Sequence, residues 1–376
     1  MSTSHQRLIA TTLFMSALLM PVTAPADPLT PFHGKSTPVT VADISPHLDR
    51  DGNATNEFYS EWWSFVFRME DGYGAYVQFL AYNLGPGDGM AAVIADLDLP
   101  DGFHMDEKIE YEAGNWQYAK DRFQIKLGDN SVGGPIDGLQ IRLKNDSFEA
   151  EYKLKNIAPP WKPGNGRAQY GRSENRYYEF QVIAPVAWME GRVKVEGDDD
   201  WRPVKGFVYA DHSLATIGMH EQSKRWLRFR SISPKRTFLM GEIRPPEAYG
   251  DKTIQYAVLF DDGKKVFESL DMDLKFGNQY IDPEKAGYVA ARVIEMKSKS
   301  KKDGLSFHGA IKARKMTNRE DFLAGLSPAK RFIVSKFVKP IMYYFNAVYA
   351  VRTKDKNGKK AEYKGRGQYY VTIVNP

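Results

Sequence analysis

The sequence predicts a mostly antiparallel β protein, and three observations carry that prediction. Short segments alternate apolar with polar residues, as in Phe123-Gln124-Ile125-Lys126-Leu127 and Leu139-Gln140-Ile141-Arg142-Leu143, so each has one face to bury and one to wet. Turn dipeptides such as Asp71-Gly72 and Asp262-Gly263 punctuate them. No strand–helix alternation with a phosphate-binding glycine pattern occurs, which argues against nucleotide-dependent enzymes. The chain has 376 residues, enough for two such β units or one large one.

At the N-terminus, Arg7 precedes a largely apolar run over residues 8–22, and Ala24-Pro25-Ala26 follows with the small-x-small pattern that signal peptidase accepts. The run is shorter than the roughly 20 residues a spanning helix needs, and Pro21 and Pro25 break it. A signal peptide over residues 1–26, cleaved near Ala26, is expected to deliver the protein to the periplasm or the exterior. Residues 27–56 are rich in Pro, Thr and Asp without a sustained period and read as an extended arm.

The first β unit is placed at residues 57–205. It opens on an aromatic run through Phe58, Trp62, Trp63, Phe65 and Phe67 and continues through residues 75–82, 91–97, 123–127, 139–143 and 148–154. Residues 157–175 contain Pro159-Pro160-Trp161-Lys162-Pro163-Gly164, which cannot form a ladder, and read as a rim loop or lid carrying Trp161 and Tyr170. Strands resume at 177–184, 188–195 and 204–209. The second unit is placed at residues 206–376, with strands from 226 to 316 and a closing hairpin about Asn357-Gly358. Between them Phe322, Leu323, Leu326, Ile333, Val334, Phe337, Val338 and Ile341 recur near helical spacing with Lys330, Arg331, Lys336 and Lys339 interleaved. That pattern predicts one amphipathic helix near residues 320–345.

Charge is unevenly spread. Residues 301–376 carry 17 Lys and Arg against 5 Asp and Glu, while the whole chain is only +5. A basic end on an acidic body suggests peripheral contact with an anionic membrane; an exported protein rarely meets nucleic acid, and none is expected as a partner. The chain has no cysteine, which excludes disulfides, zinc–thiolate sites and cysteine nucleophiles.

Two groupings offer chemistry. Glu61-Trp62-Trp63 sets a carboxylate beside two large indoles, where it must pair with a cation or accept hydrogen bonds; alternation lets only one of the two indoles face a given cavity. Gly206-Phe207-Val208-Tyr209-Ala210-Asp211-His212-Ser213, followed by His220 and Arg225-Trp226, delivers a titratable pair to a strand. Asp211 and His212 are candidate catalytic residues. Trp62, Trp63, Trp161, Tyr170, Tyr209, His220, Arg225 and Trp226 are candidate ligand contacts. The plainer reading makes Asp211 a capping residue paired with Arg225. No Gly-x-Ser-x-Gly elbow accompanies Ser213, and the His212–His220 spacing is a weak metal signal, so no metal and no cofactor is expected.

Glu61-Trp62-Trp63, the proline-rich loop with Gly166 and Tyr170, Gly206-x-x-Tyr209-x-Asp211-His212, and Arg225-Trp226-x-x-Phe229 together resemble the lipocalin-like superfamily of the bacterial carotenoid hydratases, the fungal survival factor and the fungal lipocalin-like Diels–Alderases. The resemblance spans about residues 55–300. It implies an all-β architecture of two tandem lipocalin-like antiparallel β-barrel domains with an apolar ligand between or within them. It also implies that Asp211 stands where the carotenoid hydratases carry the acid that protonates an alkene, although His212-Ser213 departs from their pattern. The survival factor's likeness implies sphingolipid-like cargo. The expected function is binding of a large apolar molecule, a lipid or isoprenoid. The alternatives are acid-assisted hydration, isomerisation or cyclisation of an isoprenoid, and a non-catalytic structural or interaction module.

Overall fold

The computed structural model describes residues 28–50, 52–83, 88–250, 252–298 and 304–375. The expected signal peptide over residues 1–26 lies outside the described residues. Almost all regular structure is β, in one sheet of thirteen strands and one of nine. The first curls into a nearly closed barrel and the second into a half-barrel, so the expected pair of barrel domains is present.

The centre of the first sheet positions the site. Ser60–Met69 pairs on one side with Gly74–Tyr82 and on the other with Arg202–Ala215, which pairs in turn with the long strand Tyr177–Val195. In the second sheet Arg225–Ser231 lies between Arg236–Arg244 and Lys360–Ile373. Close approach is enforced at Gly206, where an added Cβ would fall 2.2 Å from the Arg68 carbonyl oxygen, and at Gly367, where it would fall 2.3 Å from that of Arg230. No other residue fits either place.

Three of the four apolar cores among the described residues follow from this layout. One fills the first barrel and includes Trp63, Phe65, Phe67 and Phe79. One lies inside the second sheet around Phe229, Phe238 and Tyr349. The third joins the sheets and combines Trp62, Leu80, Tyr178, Phe180 and Tyr209 with Leu239, Ile243, Tyr256 and Phe260. The central strands are therefore buried on both faces, which is why residues 58–67 are apolar almost throughout rather than alternating.

Three expectations are corrected. The second unit does not begin at residue 206: Arg202–Ala215 hydrogen-bonds within the first sheet along its length, and the changeover comes at 216–224, around the helical turn Met219–Gln222. Paired on both sides, this strand stays in the first sheet through Ala215. The helix expected near 320–345 is a short one, Pro328–Val334, set between the strands Ser306–Asp321 and Ile341–Lys354. Pro340 breaks the helical period, and the run Tyr343-Tyr344-Phe345 gains more by pairing with both neighbouring strands than a helix would give it. Finally, the proline-rich loop is no lid. Trp161 is buried and bridges to Val182, and Arg167–Tyr170 forms a strand between Tyr177–Val195 and the arm strand Leu29–Thr30.

Candidate functional site

Successive side chains of Arg202–Ala215 point to opposite faces, so Asp211 and His212, adjacent in sequence, enter different compartments. His212 faces the interior of the first barrel with Val208, Ala210 and Leu214, while Tyr209 and Ala215 belong to the core between the sheets, on the face that Asp211 shares. The pair expected to act together is thus divided by the sheet itself.

Inside the barrel, Glu61 is fully buried and bridges two imidazoles. Its Oε1 lies 2.7 Å from His47 Nδ1 and 2.7 Å from His212 Nε2. Its Oε2 accepts the His47 backbone N–H at 2.8 Å and the Tyr59 hydroxyl. The outer ring nitrogens are engaged as well, His47 Nε2 with the Ala42 carbonyl at 2.9 Å and His212 Nδ1 with Gln181 Oε1 at 2.9 Å. Burial pushes the Glu61 carboxyl up, but the His47 charge and the hydrogen bonds from His212 and His47 outweigh it and hold it at about 2. Trp63 stacks on His212 with ring centroids 5.0 Å apart and donates its Nε1–H to the Ile44 carbonyl. The three ligand atoms of His47, Glu61 and His212 lie within 4.8 Å of one another, a donor set able to hold a divalent ion. As placed, each of their contacts is a short hydrogen bond. The cluster satisfies the sequence requirement that Glu61 find a cation, though His47 was not foreseen, because nothing in the arm's sequence marks it.

Between the sheets, Asp211 meets the alternation of Arg225–Ser231, which turns Leu227 and Phe229 inward and presents Trp226, Arg228 and Arg230 to the first sheet. Asp211 Oδ2 lies 3.0 Å from Arg230 Nη2 and 3.6 Å from Arg228 Nη1. Arg228 also donates to the Tyr178 hydroxyl at 3.0 Å and lies over the rings of Trp226 and Phe180, 4.8 and 5.1 Å from their centroids. Arg230 lies over Tyr209 and Tyr370, at 4.6 and 5.1 Å. Beside them is a cavity of about 110 Å³ whose wall includes Trp62, Ser64, Tyr76, Gln78, Trp226, Arg228 and Arg230, with Met219, Phe322, Met342 and Val374 on its apolar side. The Asp211 partner is not Arg225, which instead makes a bidentate bond to Glu242 and covers Phe276. Asp211 therefore stands beside two guanidinium groups, in an ion-paired setting rather than a purely apolar one.

The other expected contacts divide. Trp62 and Trp226 wall the cavity, and their rings stand 6.3 Å apart. Tyr209 supports Arg230. Trp63 belongs to the barrel core. Trp161 donates to Glu268 Oε2 at 2.8 Å and Tyr170 to the Gln222 carbonyl at 3.0 Å, so both act as struts. His220 packs its ring against Phe58, 6.3 Å away, and is not a member of the His–Glu–His cluster. Arg228 and Arg230 were missed, although Trp226-x-Arg228-x-Arg230 between inward Leu227 and Phe229 is a visible signal of two cations on a covered face.

Two further carboxyls approach the same compartment. Burial pushes Glu320 up to about 8, against the opposing hydrogen bond from Tyr344, whose ring walls the cavity. Burial likewise lifts Asp96 to about 7, and neither of its oxygens has a hydrogen-bond partner.

Residues 106–374 match the description of the Svf1 family. No curated protein sequence matches the chain. Among solved structures, a putative AttH from Nitrosomonas europaea superposes with a TM-score of 0.55 at 16% identity, covering 90% of this chain and all of that one. CghA with Sch210972 gives 0.52 at 10% identity, over 84% of this chain and 88% of that one. Kievitone hydratase from Nectria haematococca gives 0.50 at 11% identity, over 92% and 98%. At these identities the likeness is one of fold.

Proposed function

The chain belongs to the Svf1 family, and from that premise we propose that it binds a largely apolar small molecule, a lipid or isoprenoid, in the compartment between its two sheets. One observation carries the reading: a cavity walled by rings and methionines with a buried ionic cluster at its side. Each buried methylene of a ligand contributes about 0.8 kcal/mol, so a chain of modest length binds well with few polar contacts. The cavity is smaller than the roughly 300–1,000 Å³ of ordinary ligand pockets, so uptake requires its Met219–Phe322–Met342 side to open. Methionines, unbranched and rotameric, suit that demand. Export through the leader and docking of the basic C-terminal region on anionic membrane complete the proposal. Exposed Phe332, with Lys336 over its ring at 4.5 Å, gives the short helix Pro328–Val334 an apolar tip beside positive charge.

Native mass spectrometry of protein purified without detergent tests the reading. The expected result is a co-purified apolar molecule, lost in Trp62→Ala and Trp226→Ala. A clean unliganded mass, together with no uptake of a fluorescent long-chain polyene, would sink it.

A second reading, protonation of an isoprenoid alkene, is favoured by one observation: burial pushes the Glu320 carboxyl up to about 8, so it keeps a proton near neutral pH. Its test is turnover of an isoprenoid substrate, which Glu320→Gln abolishes and Asp211→Asn does not.

A further inference from the structure

We infer that the bound molecule carries an anionic head group, a carboxylate, sulfate or phosphate, seated against Arg228 and Arg230. This rests on the binding reading above and names the ligand class for the same cavity. The charges in this buried compartment do not balance. Arg228 and Arg230 share one carboxylate, Asp211, and only its Oδ2 takes part; Oδ1 has no hydrogen-bond partner, and neither does Nε of either arginine. Asp211 is wholly buried and the two guanidinium side chains are 11% exposed. The compartment therefore holds one uncompensated positive charge away from water, an arrangement that costs free energy unless an anion joins it.

Among the described residues, nearby groups do not supply that anion. Arg225 and Glu242 neutralise each other, and the carboxyls of Glu320 and Asp96 are held protonated to about 8 and about 7 by burial. The arginines are also fixed in place before any ligand arrives. Arg230 rests over two tyrosine rings, and Arg228 over an indole and a phenyl ring while bonded to Tyr178. Planar guanidinium groups held in this way suit oxyanion recognition. A cavity of about 110 Å³ accepts a head group and little more, so the tail leaves past Met219, Phe322 and Met342.

The test uses one chain with four heads. Oleate, oleyl phosphate, oleyl alcohol and oleylamine are titrated into the full-length protein by displacement of a fluorescent polyene. The expected order is oleate or oleyl phosphate at least tenfold tighter than the alcohol, with the amine weakest; which of the two acids leads distinguishes carboxylate from phosphate as the natural head. Arg230→Gln and Arg228→Gln are expected to reduce acid affinity far more than alcohol affinity. Alcohol binding as tightly as either acid overturns the anionic head and leaves the apolar-ligand reading standing. No binding by any of the four overturns both. The head-group series uses the wild-type protein, so its outcome stands even where an arginine variant fails to fold.

Discussion

The strand Arg202–Ala215 separates two buried charge clusters that differ in their accounting. On the barrel side, Glu61 receives four hydrogen bonds from His47, His212 and Tyr59, and the outer nitrogens of both imidazoles are occupied. On the intersheet side, Asp211 faces two arginines with one oxygen and two Nε atoms unpartnered, beside open space. A closed network specifies a fold; an unbalanced one beside a cavity is arranged for something that is not yet there. The two clusters lie on neighbouring residues of one strand, yet their roles are opposite.

The largest effect that separates them is expected from Glu61. Glu61→Ala leaves two imidazoles buried without their shared acceptor, and breaking such a pair costs roughly 3–5 kcal/mol; chemical denaturation should read this loss directly. If Glu61→Ala proved neutral in stability, the cluster would not be structural, and a role as an ion site would become the better account of His47, Glu61 and His212.

Asp211→Asn comes next and sharpens the other side. Removing the competing carboxylate frees both guanidinium groups, so oleate affinity should rise several-fold while stability falls by about 1–3 kcal/mol from the bonds lost. Loss of oleate binding in this variant would instead make Asp211 a ligand contact.

The pH dependence distinguishes the two buried glutamates by sign. Glu61 sits at about 2 when folded against an ordinary 4.5, so the unfolded chain binds its proton more readily and stability is lost as pH falls from 4.5 toward 2. His47 is raised, so its contribution is fully present below 6.5 and fades as pH climbs through its folded value. Glu320 behaves in the reverse sense to Glu61: folded at about 8 against 4.5, it holds a proton that the unfolded chain has released, and stability declines as pH rises from 4.5 to 8. Melting curves across pH 5–9 should therefore slope downward, and Glu320→Gln should flatten them. An unchanged slope would remove Glu320 from the account.

The smallest effect concerns the surface. Phe332→Ser should change stability by no more than about 0.5 kcal/mol, yet reduce flotation with anionic vesicles. Equal flotation of the two proteins would detach the short helix from the membrane proposal.

Much of the fold was legible in the sequence. Period-2 alternation at Phe123–Leu127 and Leu139–Leu143, the turn dipeptides and the absence of cysteine fix an antiparallel β protein held by its cores. The motif through Asp211 and Trp226 was legible too, as was the need of Glu61 for a cation. These features are local, because alternation and turn chemistry act over a few neighbouring residues. The partners were decided by tertiary structure. His47 reaches Glu61 from an arm with no periodic signal, Arg228 and Arg230 reach Asp211 across two sheets, and Tyr343 to Phe345 become strand because both neighbours offer a ladder. Charge balance in a buried compartment depends on residues brought together from distant parts of the chain, and no local pattern records that meeting.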